Sequence, residues 1–129
     1  MKTNLFTLIL ILFLLQIFNA GVSNSQVGEI WTQRYNGPMD STEFLNSMTV
    51  DQAGNVYVTG GSIGSGGAYL DIVTIKYNNN GSVQWLQRYN GPGDSTDIGN
   101  SIVVDGSGNV YITGESYGVG TKSDIITIK

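Results

Sequence analysis

The stretch WTQRYNGPMDST at residues 31–42 returns as WLQRYNGPGDST at residues 85–96. Offsetting the chain by about 54 residues also aligns Asn46 with Asn100, Asp51 with Asp105 and Gly60 with Gly114. Roughly two thirds of the positions from 31 to 66 are identical in the two copies. After a one-residue deletion, DIVTIK (71–76) aligns with DIITIK (124–129). The chain is an internal repeat, and any fold assigned to it must be built from one unit used twice.

Within one period, four runs of strand-forming residues are bounded by turn residues. SMTVD (47–51) and NVYVTG (55–60) flank the turn Gln52-Ala53-Gly54. DIVTIKY (71–77) and VQWLQRY (83–89) flank NNNG (78–81), in which Asn-Gly supplies the positive φ that a tight hairpin needs. Two consecutive hairpins make a four-stranded meander. Val56 and Val58 oppose Tyr57 and Thr59 along the second strand, and Val73, Ile75 and Tyr77 oppose Ile72 and Thr74 along the third. Neither face is polar, so the sheet is expected to be sandwiched between neighbours. An all-β unit with a period near 50 and semi-apolar faces on both sides reads as a β-propeller blade.

The pattern QRYNGPxDST, an NS before an apolar strand, DxxGNVYVTG and DIxTIKYNNNGSVQW resembles the bacterial SBBP-type β-propeller repeat family, with looser similarity to NHL and kelch repeats. In the second copy Gly114 is followed by Glu115, which departs from the Gly-Gly of kelch. The resemblance covers residues 29–129, divided into a first repeat (29–82) and a second, truncated one (83–129). It implies architecture in secreted and surface proteins more than a specific activity. Propellers close with roughly four to eight blades. Two are therefore expected to be a fragment of a larger wheel with further blades of the same chain, or to assemble from several short chains. Residues 29–35 read as a fourth-type strand with no preceding three, suited to completing a last blade.

Composition narrows the function classes. The 129 residues include 18 glycines and 12% charged residues, which favours short strands and tight turns over helices. A net charge of -4 offers no cationic surface for a phosphate backbone, so nucleic acid is not an expected partner. Without cysteine or histidine, disulfides, thiolate chemistry and the commonest acid-base catalyst are excluded, and any metal would need oxygen ligands. Residues 1–20 carry Lys2 and then an apolar run of about 14 residues, the length of a signal h-region and short of a membrane span. They read as a signal peptide, followed by a short linker at 21–28. The mature chain is expected to be bacterial, secreted or at the cell surface, and without a membrane span.

Candidate sites lie at the turns. Asp40 with Glu43, and Asp94 with Asp97, place two carboxylates three apart in an oxygen-rich loop, chemistry suited to Ca²⁺; the competing reading is aspartates that cap their own turns. Asp51 with Gly54, and Asp105 with Gly108, read as hairpin turns, because the alternate acids and the glutamate of a calcium loop are missing. The glycine-rich segments 60–69 and 114–123 read as loops, and within them Ile63, Tyr69, Tyr117 and Lys122 vary between copies and are the candidate ligand contacts. Trp31 and Trp85 fall on strands and are expected to pack between blades. No catalytic set is found and no cofactor is required. The expected function is a non-enzymatic binding or structural module for a protein or carbohydrate ligand. The alternatives are a secreted propeller hydrolase or lyase whose catalytic residues lie in other blades, and a calcium-stabilised scaffold.

Overall fold

The tight hairpin turns at 51–55, 78–82 and 105–109 are each closed by an aspartate or asparagine that organises its own turn. Asp51 Oδ1 accepts from the backbone N–H of Ala53 and Asn55, both at 2.9 Å, while Gly54 takes φ 79° and donates to the Asp51 carbonyl. The same set recurs at Asp105, Ser107, Gly108 and Asn109. Asn78 does this work at the other hairpin, with Gly81 at φ 81°. Local hydrogen bonding by Asx side chains, together with glycine at positive φ, fixes where the strands stop.

The structure is a computed structural model and describes residues 28–66 and 68–129. The expected signal peptide at 1–20, and all but the last residue of the linker at 21–28, lie outside the described residues. Residues Trp31–Lys129 form one compact unit. In it β1 (Glu43–Val50), β2 (Val56–Ile63), β3 (Leu70–Tyr77) and β4 (Val83–Tyr89) make an antiparallel sheet in the order β1-β2-β3-β4. β5 (Asp97–Val104), β6 (Val110–Tyr117) and β7 (Ser123–Ile128) make a second, in the order β5-β6-β7.

The strands run further than the turn residues suggest. β1 begins at Glu43 rather than Ser47, and β2 continues through Gly60 and Gly61 to Ile63, so the loop expected at 60–69 is confined to 64–69. Likewise Gly114 and Tyr117 belong to β6, and Ser123 begins β7. The cause is a bulge between Leu45 and Ser47, which turns the Phe44 carbonyl toward Gly60; a Cβ there would overlap that oxygen. Gly114 meets the Ile98 carbonyl in the same way opposite the second bulge. Glycine keeps the strand paired through a close backbone approach, and is no sign of a loop.

The two sheets pack face to face. Tyr57 and Ile72 of the first meet Ile102 and Ile112 of the second, with Trp85, Val104 and Ile126 around them. The opposite face of the first sheet carries Val73, Ile75 and Tyr77, partly covered by Trp31 and Tyr35. Both faces of β3 are thus apolar and covered, as the sequence pattern requires.

Candidate functional site

The loop before each blade is a turn built around one aspartate. Asp40 and Asp94 adopt φ 49° and 45°, donate their N–H to the carbonyls of Gly37 and Gly91, and accept from Asn36 and Asn90 side chains at 2.8 Å. Asp tolerates this left-handed conformation better than most residues. Glu43 and Asp97 are not loop residues; they open β1 and β5. The bulged first turn of the strand extends pairing back to them and points them inward. Glu43 Oε1 accepts from Gly37 N–H at 3.1 Å and Asp97 Oδ2 from Gly91 N–H at 2.6 Å. The two acids of each pair therefore answer different donors. Among the described residues no three His, Cys, Asp or Glu side chains gather as metal ligands.

Asp51, Asp105 and Gly108 line a shallow groove at the opposite end, between the two hairpin turns, and Gly54 belongs to the first of these turns. Asp51 Oδ2 also accepts from Asn55 Nδ2 at 2.8 Å and Tyr57 Oη at 3.1 Å. The Asn55 side-chain hydrogen bond, with help from the other donors, holds the Asp51 carboxyl below its ordinary value; Asn109 does the same for Asp105.

The loop end presents the residues that differ between copies. Tyr69, 52% exposed, lines a polar cleft of about 150 Å³ with Ser65, Asp71, Asn90 and Asp94. Here the β2–β3 loop of one blade faces the loop that enters the next. Tyr117 ends β6, opposite Ser123, and its carbonyl accepts from Gly93 N–H at 3.1 Å. Lys122 is exposed in the following loop. Ile63, half-buried, pairs with Leu70 and does not line the cleft. The cleft thus joins Tyr69 to Asp94, while Tyr117 ends β6 and Lys122 lies in the loop that follows it.

Sequence reasoning passed over Arg88. Its Nη1 donates to Asp71 Oδ2 at 3.0 Å and the Ser62 carbonyl at 3.1 Å, and its Nη2 to Tyr35 Oη at 3.0 Å and to Ser62 Oγ. One guanidinium thereby ties β4 to β2, β3 and the segment 31–35. The signal was present: Arg and Asp recur together in both copies, as QRY and as the DI that opens DI[VI]TIK.

A four-stranded meander stacked on its own repeat, with variable loops gathered at one end, defines a β-propeller repeat protein. The SBBP β-propeller repeat family matches at residues 30–67 and 84–120, more than half of the chain, and the chain belongs to that family. No curated protein matches it. Among the described residues no helix is long and apolar enough to cross a membrane.

Proposed function

We propose that this chain is an exported, non-enzymatic module that binds a protein or carbohydrate ligand through the loop end of its blades. The observation that carries this reading is the cleft beside Tyr69. An exposed aromatic ring stands there next to amide and carboxylate groups, on loops whose backbone is fixed by short hydrogen-bonded turns. Aromatic faces and planar polar groups together suit sugars and polar peptide segments. A rigid scaffold with variable loop residues is the usual way for a repeat protein to present such contacts. The absence of His and Cys from the sequence supports a binding role over an enzymatic one, and the apolar leader supports export.

The test is a glycan and peptide array probed with the purified protein, repeated with Tyr69→Ala. A bound class that Tyr69→Ala weakens at least tenfold supports the reading; undiminished binding by the variant moves the site elsewhere. N-terminal sequencing of protein recovered outside the cytoplasm tests export, with cleavage close to residue 20 as the expected result.

A further inference from the structure

The cleft beside Tyr69 is walled by two consecutive blades. The β2–β3 loop of the first supplies Ser65 and Tyr69, and is closed at its base where Gly64 N–H donates to the Tyr69 carbonyl at 3.4 Å. Asp71, the second residue of β3, lines it too. The loop that enters the second blade supplies Asn90 and Asp94. This second wall is held by its own turn: Asp94, at φ 45°, donates its N–H to the Gly91 carbonyl at 3.1 Å, and its Oδ1 accepts from Asn90 Nδ2 at 2.8 Å. Asp94 Oδ2 and the second side-chain N–H of Asn90 have no partner among the described residues. They are an acceptor and a donor on two planar groups tied to each other.

Charge, hydrogen-bonding capacity and size narrow what the cleft can take. Among the described residues no lysine or arginine lines it, and Arg88, which reaches Asp71, is engaged by Asp71, Ser62 and Tyr35. An anionic ligand would meet the Asp94 carboxylate with no counter-charge beside it. The hydrogen-bonding groups are of both kinds: Asp94 Oδ2 accepts, the Asn90 N–H donates, and the hydroxyls of Ser65 and Tyr69 do either. A ligand hydroxyl also does either and can serve each of them. An ammonium or guanidinium only donates, and would leave the Asn90 N–H desolvated without an acceptor. The volume of about 150 Å³ is below the roughly 300–1,000 Å³ of pockets that enclose a drug-sized ligand, and suits one ring. Tyr69, half exposed, adds a flat apolar face.

We infer that this cleft binds one neutral hexose ring of a glycan, two neighbouring ring hydroxyls meeting Asp94 Oδ2 and the Asn90 N–H while the C–H face of the sugar lies on Tyr69. The inference rests on the binding role proposed above and narrows it to one ligand class, against peptides and acidic glycans. The Asn–Asp pair is common to both copies, as Asn36 with Asp40 and Asn90 with Asp94, so it supplies orientation and not choice. The loop above it differs. Counting on from Gly64 and Gly118, Val119 stands at the position of Ser65; counting back from Asp71 and Asp124, Lys122 stands at the position of Tyr69. The hydroxyl and the aromatic face that fit a sugar therefore belong to the first blade's loop and are not stamped into each repeat.

NMR titration of protein expressed from the full coding sequence tests this. The probes are the methyl glycosides of glucose, mannose and galactose, methyl glucuronide, and N-acetyl-lysine amide. At least one neutral glycoside should shift the amide resonances of Ser65, Tyr69, Asn90 and Asp94 together, and bind at least tenfold more tightly than the glucuronide or the lysine derivative. Asp94→Asn removes the free acceptor and keeps a residue that tolerates the left-handed turn, and should weaken binding at least tenfold. Asp40→Asn is the same change in the same turn of the first copy, and should leave binding within twofold. Preference for the glucuronide or the lysine derivative, equal losses in the two aspartate variants, or no shift at these residues with any glycoside would overturn the inference. On the array, peptide or acidic-glycan binding that is lost in Tyr69→Ala would keep the binding role of the cleft and overturn its assignment to neutral sugars. Glycan binding undiminished in that variant would overturn both.

Discussion

Ile72 and Ile125 are the same position of the repeat in opposite circumstances, 2% and 88% exposed. Replacing each with alanine separates what the repeat contributes by itself from what stacking of blades contributes. Ile→Ala removes three carbons, about 2.4 kcal/mol of transfer free energy at ~0.8 kcal/mol per methylene. A sealed void would add a further cost of about 24 cal/mol per Å³. Ile72, however, borders an open cavity of about 670 Å³ between the sheets, so the space vacated joins one that already exists. The expected cost of Ile72→Ala is therefore about 3 kcal/mol, toward the low end of the usual range for core truncations. For a domain near 100 residues this is roughly 15 °C in midpoint. Ile125→Ala in dilute protein should cost less than ~0.5 kcal/mol. Urea unfolding followed by tryptophan fluorescence is a direct assay, because Trp85 packs on the same cluster as Ile72. Equal costs at the two positions would refute the claim that blade stacking, and not the blade's own sheet, buries Ile72.

Four further outcomes follow from other contacts. Gly114→Ala should destabilise by at least ~2 kcal/mol, since its Cβ would overlap the Ile98 carbonyl. Gly106→Ala, with open space around it, should change the melting midpoint by less than a degree or two. Arg88→Met should cost about 2–4 kcal/mol in chemical denaturation, because it strands Asp71 and Ser62 without their donor. In acid, Asp51 and Asp105 report through their lowered carboxyl values. A folded-state value below the ordinary 3.8 means their contribution is complete above that pH and is lost as pH falls through the lower folded value. The double variant Asp51→Asn, Asp105→Asn should show a flatter fall in melting midpoint below about pH 4 than the parent; curves of equal slope would remove this linkage.

The blade was legible because its signals are local. Asx-glycine turns, alternation along Val56 to Thr59 and the doubled apolar faces of β3 each depend on residues close in sequence, and together they specify hairpins, meander and sandwich. Strand ends were less legible, because a glycine inside a bulged pair looks the same in sequence as a glycine in a loop; what distinguishes Gly60 is the Phe44 carbonyl, a partner 16 residues away. Glu43 and Asp97 were misplaced for the same reason. Arg88 escaped notice since a single repeated arginine on a strand carries no local pattern, and its partners Ser62, Asp71 and Tyr35 lie in three separate stretches of the chain. Of the candidate contacts, Tyr69 and Asp94 could be assigned to one end by topology, but their meeting in one cleft depends on how one blade's loop faces the next.

The differences between the two copies follow the differences in what each copy touches. Gly99 lies against Thr59 and Ile72 of the first sheet, where any side chain would collide; Leu45, its counterpart, is 65% exposed. Gly93 lies against the carbonyls of Tyr117 and Gly118, below a loop one residue shorter than the one at 64–69, whereas Met39 stands free enough to be 45% exposed. In each case the tightly packed copy has the glycine and the looser copy has a side chain. Residues that make the turns, by contrast, are the same in both: Asp51 and Asp105, Asn55 and Asn109, Gly54 and Gly108, Asn36 and Asn90. Identity at these positions marks what each turn needs in order to form, while positions 39/93 and 45/99 diverge with how closely each copy is packed.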